Sequence, residues 1–154
     1  MIDINERFLT KFVKFAVKIH DDVIAKSGGL PGTKNLGLLE SAVSNLVYYD
    51  TFDAQLTNLI FSIAKNHAFT DGNKRASIAV SAYFLIIAGY PNFIISKFIE
   101  NMEDIVLMVV CNFITKEELG EFVVLIINDL PYYEELQIKW ILAKQKVDAL
   151  YGDE

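Results

Sequence analysis

The chain has 154 residues, of which 53% are hydrophobic and 22% are charged, and it carries a net charge of −6 at pH 7. This composition excludes an intrinsically disordered chain, and the acidic balance argues against nucleic acid as a partner, because phosphate backbones are bound by positive surfaces. The single cysteine, Cys111, excludes an internal disulfide and is typical of a reducing compartment.

Apolar residues recur at steps of three and four along nearly the whole chain, which predicts amphipathic helices. The predicted helices cover about residues 5–26, 53–66, 73–88, 99–112, 116–129 and 131–150, and a further helix contains the apolar residues between 38 and 46. Strand signals are weak, and the candidates are a short extended piece near residues 90–95 and a β-like flap in the glycine-rich loop 27–35. We therefore expect residues 1–154 to form a single all-α domain, a bundle of about six to eight helices around a buried central helix.

Some helix boundaries carry specific signals. Gly89 suits the C-terminal cap of the helix over residues 73–88, and Pro91 is expected to prevent that helix from resuming. Thr115 and Glu118 have the spacing of a capping box, which predicts that a helix begins there. Pro131 fits the first turn of the last helix.

Residues 76–96 contain no charge and are long enough to span a bilayer. Gly89, Pro91 and Asn92 interrupt them, so we interpret their helical part as the centre of the bundle rather than as a membrane span. The N-terminus has no basic start followed by an apolar stretch, which predicts no signal peptide. We therefore expect a cytoplasmic protein without a membrane partner.

Residues 67–75, His-Ala-Phe-Thr-Asp-Gly-Asn-Lys-Arg, differ from everything around them. They place an imidazole, a carboxylate, an amide and two cations directly before an apolar helix. Because burying an unpaired charge is costly, such a cluster beside a buried helix indicates a function. Phe69, in the middle of the cluster, is expected to point into the core and anchor the loop.

The start of a helix offers unpaired backbone N–H groups and a partial positive charge. Gly72 lets an anion approach the backbone, and Lys74 and Arg75 add formal positive charge, which predicts a phosphate site. Asp71, just before the helix, is placed to bind a magnesium ion that bridges phosphate oxygens. His67 is the candidate general base, because histidine is the side chain best suited to that role near neutral pH.

Each of these residues alone has an ordinary structural interpretation. Asp-Gly-Asn is a common loop sequence, His67 could simply end a helix, and Lys74 and Arg75 could form a solvated face. The combination of all of them at one helix start favours the chemical interpretation.

The nine residues resemble the signature of the Fic/Doc family, His-x-Phe-x-Asp/Glu-x-Asn-x-Arg, with every fixed position filled. The resemblance extends upstream to residues 28–32 (Gly-Gly-Leu-Pro-Gly) and 38–42 (Leu-Leu-Glu-Ser-Ala), and it includes His20. It covers about residues 4–130 and leaves the last helix, about 131–150, as an addition. Within the family the chain is most similar to the Doc (death on curing) branch, the toxins of toxin–antitoxin pairs.

The resemblance implies an enzyme that uses ATP and Mg²⁺ to modify a hydroxyl group on a target protein. His67 would deprotonate that hydroxyl, and Asp71 would bind the magnesium ion. The phosphates of ATP would be held by Gly72, Asn73, Lys74 and Arg75. The flap that positions the target segment would consist of Leu30, Pro31, Gly32, Thr33, Lys34 and Asn35.

Two departures from the wider family bear on the reaction. Nucleotidyl-transferring members have Gly-Asn-Gly-Arg and a further arginine three residues on, whereas this chain has Lys74 in place of the second glycine and Ile78 in place of the arginine. Both changes match the Doc branch, which resembles a kinase, although Gly72 stands where Doc toxins can have alanine. We therefore predict phosphoryl transfer to a Ser or Thr hydroxyl, with nucleotidyl transfer (AMPylation) as the alternative.

The resemblance also suggests partners. Elongation factor Tu is a candidate target, whose modification would halt translation, and an antitoxin is a candidate inhibitor. A different alternative is an inactive relative that only binds a partner protein, but the intact His67 and Asp71 argue against it.

Four further features have weaker signals. His20, beside two aspartates, is expected to pack or to end a helix rather than to bind a metal, and Cys111 is expected to pack in the core. Residues 96–101 fit the inhibitory pattern Ser/Thr-x-x-x-Glu-Gly/Asn of some relatives, but so loose a pattern arises easily by chance. In the last helix, the stripe Tyr132, Leu136 and Trp140 predicts core packing, with self-association or antitoxin binding as the alternative.

Overall fold

In the computed structural model, which describes residues 2–152, the chain forms seven α-helices and one short 3-10 helix. The α-helices are α1 (Glu6–Ser27), α2 (Leu36–Ser44), α3 (Phe52–Asn66), α4 (Asn73–Ile87), α5 (Asn92–Val110), α6 (Lys116–Ile127) and α7 (Glu134–Tyr151). The 3-10 helix, Asn45–Tyr48, directly follows α2. The predicted all-α bundle is confirmed.

The buried helix α4 packs against α1, α3 and α5. Several of its buried residues are small, including Ala76, Ser77 and Ser81, so neighbouring helices can approach closely. Helix α3 shares the centre of the bundle, since it packs against α2, α4, α5 and α6. The segment between α3 and α4 is therefore fixed at both ends by buried helices.

Four helices begin at a side chain that accepts a hydrogen bond from the first turn. The pairs of capping side chain and backbone N–H are Asn5 with Phe8, Asn35 with Leu38, Thr51 with Ala54, and Thr115 with Glu118. The last pair forms the predicted capping box. Helices α4, α5 and α7 begin without a side-chain cap, and in α4, which begins after Gly72, this leaves the first backbone N–H groups available.

Two predicted boundaries are wrong, and both involve proline. Pro91 does not delay the next helix but is itself the N-terminal cap of α5, so α5 begins at Asn92 instead of near residue 99. A proline is tolerated there because the N–H it lacks would have no partner within the helix. Pro131 lies outside α7, which begins only at Glu134.

The extended piece expected near residues 90–95 is also wrong, because most of it belongs to α5. Within residues 2–152, the extended pairing is limited to one isolated antiparallel bridge between Thr33 and Phe69. This bridge lies at the glycine-rich loop, where a flap was the other expectation. Cys111 is half-buried and ends α5 rather than lying in the core.

Among the described helices, none combines the length and the apolar character that crossing a membrane requires. The uncharged stretch that begins in α4 is instead divided between α4 and α5, with Gly89 in a left-handed turn between them. The predicted core packing of the stripe is confirmed, since Leu136 is buried and Tyr132 and Trp140 pack against the core, although Tyr132 lies before α7 and not in it.

Candidate active site

His67 ends α3 in the left-handed conformation, with φ 53° and ψ 46°. This conformation is costly for a residue with a Cβ atom, so the surrounding structure must impose it. It turns the chain sharply out of α3, so that Ala68 and Phe69 enter the core, where both are buried. The imidazole itself stays exposed at the surface.

The turn before α4 is closed by Asn73. Its side-chain oxygen accepts a hydrogen bond from the Phe69 N–H, and its side-chain amide donates to the Phe69 carbonyl, both at 3.1 Å. The predicted anchoring of the loop by Phe69 is confirmed, since this side chain is 0% exposed. Both the oxygen and the nitrogen of the Asn73 amide thus hold the loop closed.

Gly72 provides the left-handed residue from which α4 begins, with φ 73°. A Cβ atom at this position would lie 2.8 Å from the Cδ1 atom of Ile24 and 3.3 Å from the Arg75 guanidinium, so a side chain there would have to displace its neighbours. Glycine thus keeps the start of α4 accessible beside two cationic residues, Lys74 and Arg75.

Asp71 accepts hydrogen bonds from two backbone N–H groups, that of Leu30 at 3.0 Å and that of Gly72 at 2.8 Å. These two bonds lower the pKa of Asp71 below its usual value, and the charges of Arg75 and Lys74 lower it further against the opposing effect of desolvation. The carboxylate is therefore ionised at neutral pH, which is the form that a metal ligand needs.

The Arg75 guanidinium is anchored at the end of α1. It donates hydrogen bonds from Nη1 to the Ser27 hydroxyl and, at 2.8 Å, to the Gly28 carbonyl. A guanidinium has five N–H donors, so others remain for an anion. Lys74, the neighbouring cation, is exposed.

The glycine-rich loop packs against residues 67–75 through backbone hydrogen bonds. Lys34 and Asn35 both donate to the Ala68 carbonyl, at 2.8 and 2.9 Å, and Thr70 donates to the Gly32 carbonyl at 3.1 Å. The predicted flap over residues 30–35 therefore lies beside the motif. Leu30 at its tip is 62% exposed.

These residues surround an open cavity of about 370 Å³. Its walls are formed by Ala64, His67, Thr70, Asp71, Gly72, Asn73, Lys74, Arg75 and Val110. A larger cavity of about 590 Å³ lies between α3 and α6, but no residue of the motif lines it. The imidazole, the ionised carboxylate and both cations thus share one cavity at the start of α4.

The cavity has the composition of a site for a metal bound together with phosphate. Within the described residues 2–152, no group of three or more His, Cys, Asp and Glu side chains could hold a metal ion by itself. Mg²⁺ is commonly bound through one or two carboxylates plus substrate phosphates and water, so the single carboxylate of Asp71 fits this ion when a phosphate ligand accompanies it.

The sequence model of the Fic/DOC family matches residues 9–85, which is half of the chain. The chain belongs to the Fic/DOC family. The matched stretch runs from α1 almost to the end of α4 and contains both the flap and the motif.

A relative from Escherichia phage P1, the protein kinase doc, is 33% identical over 76 residues. The alignment covers 45% of this chain and 60% of that protein. The chain thus spans less than two thirds of the length of the relative that it matches.

Two features that the sequence singled out beside the Fic/DOC motif do not reach the cavity. Glu100, in the pattern over residues 96–101, lies on α5 ten positions before Val110, which is about 15 Å along the helix axis from the cavity wall. Ile78, in place of an arginine of other family members, packs against the core instead of lining the cavity.

Sequence reasoning missed the contact of His20 with the motif loop. This residue is buried in α1, and its Nε2 atom lies 2.7 Å from the carbonyl oxygen of Asp71. The signal in the sequence was slight, a histidine on the helix that precedes the glycine-rich loop. The contact itself spans 51 positions of the chain and could not be read from spacing.

Proposed function

We propose that this Fic/DOC protein transfers the γ-phosphoryl group of ATP to a Ser or Thr hydroxyl of a target protein. The observation that carries this proposal is the shared cavity, in which an exposed imidazole faces the start of an uncapped helix beside an ionised carboxylate and two cations. The similarity to the protein kinase doc supports phosphoryl transfer over other uses of the same residues.

In the proposed reaction, the hydroxyl oxygen of the target attacks the γ-phosphorus of ATP. The bond from that phosphorus to the β–γ bridging oxygen breaks, ADP leaves, and the hydroxyl proton passes to the imidazole of His67. The phosphates are held by the backbone N–H groups at residues 73–75 together with Lys74 and Arg75. A magnesium ion on Asp71 would supply further positive charge to the phosphate oxygens.

Lys74 supports phosphoryl rather than nucleotidyl transfer. Nucleotidyl-transferring relatives have a glycine at this position, and its missing side chain leaves room for a diphosphate. Here the lysine side chain is exposed at the cavity and adds a cation, while Ile78 adds none. We propose that Lys74 contacts the phosphate chain of a nucleotide bound in the reversed orientation.

ATP labelled separately at the α- and γ-phosphates tests the reaction in cell lysate, with His67→Ala as the control. We expect label on a protein from the γ position only, and only with the wild-type chain. Label retained from the α position alone would show nucleotidyl transfer instead. No label from either, with no thermal stabilisation by ATP and Mg²⁺, would favour an inactive binding module.

The target and the inhibitor are proposals that rest on the similarity to the Doc branch. We propose elongation factor Tu as the target and a toxin–antitoxin setting in which an antitoxin restrains the enzyme. Mass spectrometry of the labelled proteins would report the modified residue and its added mass. A short open reading frame next to the gene would support the antitoxin.

A further inference from the structure

His20 is a buried ionisable side chain to which the proposed reaction assigns no role. It lies in α1 and is 0% exposed, and within residues 2–152 it is the one histidine, lysine, arginine or acidic residue that is fully buried. Burying such a polar ring has a cost unless its nitrogens are hydrogen-bonded. The partners of the His20 ring therefore indicate what this residue does in the protein.

Both ring nitrogens have partners. Nε2 lies 2.7 Å from the carbonyl oxygen of Asp71, and Nδ1 lies 3.2 Å from a carboxylate oxygen of Asp21. A carbonyl oxygen can only accept a hydrogen bond, so Nε2 must carry the hydrogen. The Asp21 contact lies within α1, so it is the bond to Asp71 that joins the ring to the loop.

The face of the His20 ring packs flat on Phe69. The two ring centroids are 3.9 Å apart and the planes are inclined by 4°. His20 therefore contacts the loop on both sides of Thr70, at the side chain of Phe69 and at the backbone of Asp71. A histidine that only filled space would need neither the aligned N–H donor nor the parallel stack.

The contacts of His20 complete the fixation of Asp71. The carboxylate accepts hydrogen bonds from the Leu30 and Gly72 backbone, and the carbonyl of the same residue accepts from His20. The Leu30 and Gly72 N–H groups thus hold the carboxylate, and His20 holds the backbone from which the carboxylate extends. An error of about 1 Å in the placement of a catalytic group can lower a rate about 100-fold.

We propose that His20 is a positioning residue that orients the carboxylate of Asp71 for its ligand. This inference deepens the proposed function, and its catalytic consequence rests on that function. The positioning itself is a property of the free protein and can be measured without any reaction.

Two substitutions separate the parts of the His20 contact. His20→Phe keeps a flat ring on Phe69 but removes the N–H donor. His20→Gln removes the ring but places an amide N–H at about the reach of Nε2. Amide hydrogen exchange is then measured in the 154-residue chain without nucleotide. The exchange rates of the Leu30 and Gly72 amides report on the Asp71 carboxylate, because both N–H groups donate hydrogen bonds to it. Lys34, whose N–H bonds to Ala68 instead, serves as the internal reference.

We expect His20→Phe to speed exchange at Leu30 and Gly72 by about fivefold, the effect of one lost hydrogen bond, with no change at Lys34. His20→Gln should restore slow exchange. Unchanged exchange at Leu30 and Gly72 in His20→Phe, or equal acceleration at Lys34, would overturn the proposal in favour of simple packing. If His20→Phe does not fold, nitrogen NMR of the wild-type His20 ring tests the proposal instead. An Nε2 atom without a bonded hydrogen would contradict the proposed hydrogen bond to Asp71.

Kinetics form a separate arm of the test. In the phosphoryl-transfer reaction, His20→Phe should raise the Mg²⁺ concentration for half-maximal rate about 10-fold or more, and His20→Gln should reverse most of that increase. A fall in kcat with an unchanged Mg²⁺ requirement would contradict positioning through Asp71. If the wild-type chain transfers no phosphoryl group, the proposed function fails, whereas the exchange measurement still decides the role of His20.

Discussion

His67 and Asp71 lie four residues apart, yet different parts of the molecule hold them. His67 directly follows α3 as its left-handed C-terminal cap, and its side chain stays exposed. Asp71 is held by backbone groups of the flap and of α4 and by His20 of α1. A change at His67 should therefore affect chemistry alone, whereas a change at Asp71 should also release the loop.

The His67 prediction is best tested with His67→Asn. Asparagine tolerates the left-handed conformation better than alanine does, so the end of α3 is preserved while the base is lost. We expect kcat to fall about 10²- to 10⁴-fold, with little change in the affinity for ATP or in the melting temperature. A variant that retains the wild-type rate would exclude His67 as the proton acceptor.

The lowered pKa of Asp71 predicts the pH dependence of its contribution to stability. Because its pKa in the folded protein lies below the usual 3.8, the carboxylate stabilises the fold above that pH, and this contribution is lost as the pH falls through the folded pKa. The difference in melting temperature between the wild type and Asp71→Asn should stay constant from pH 7 to roughly pH 5 and shrink only below pH 3.8. A difference that disappears between pH 7 and pH 5 would mean that the pKa is raised instead.

At the scale of elements, the flap and the motif loop act as one structure. The bridge between Thr33 and Phe69 and the hydrogen bond from Leu30 to Asp71 join segments about forty residues apart. This close approach requires Gly29, with φ 124°, where a Cβ atom would lie 2.8 Å from an Asp71 carboxylate oxygen and 2.9 Å from Ile24. The flap can thus reach the Asp71 carboxylate only if this position has no side chain.

Gly29→Ala should push the flap away from Asp71. We expect it to destabilise the protein by about 1–3 kcal/mol more than the matched control Gly28→Ala does, through steric overlap in a packed site. Gly28 also has a positive φ, 85°, but a Cβ atom there would meet nothing within 4 Å. Chemical denaturation of both variants measures the difference, and equal losses would show that backbone conformation alone explains the effect.

The sequence predicted those parts of the site that depend on local order. The residues 67–75 were located because the start of α4, Gly72 and the flanking charges are neighbours in the chain. The contacts of Leu30 and His20 with Asp71 were not predictable, because they depend on how α1 and the flap pack against α4. The start of α5 was predicted wrongly for a local reason, because a proline such as Pro91 can cap a helix as well as interrupt one.

At the scale of the whole molecule, α7 is the part of the chain beyond the Fic/DOC match whose role is least evident from sequence. Three of its residues, Leu136, Ala143 and Val147, are buried in the same core cluster as the residues of α3 and α4. Its opposite side exposes apolar residues, among them Ile138 and Ile141. Core packing on one side thus coexists with an apolar surface on the other, and self-association through that surface stays a prediction.

A pair of substitutions two residues apart on α7 tests whether this helix belongs to the single domain predicted for the chain. Leu136 is 3% exposed and Ile138 is 49% exposed. Leu136→Ala should cost about 2–5 kcal/mol, because it leaves a cavity in the core, whereas Ile138→Ala should change stability by about 0.5 kcal/mol or less.

The shape of the unfolding curve completes this test. If α7 folds together with the bundle, Leu136→Ala shifts one cooperative transition, and circular dichroism and the fluorescence of Trp140 report the same midpoint. An earlier fluorescence change would show that α7 detaches first and that the part of the molecule with the candidate site folds without it. A single transition would instead mean that a substitution on α7 weakens the site more than 60 residues earlier in the chain, because α4 and α7 pack into the same core.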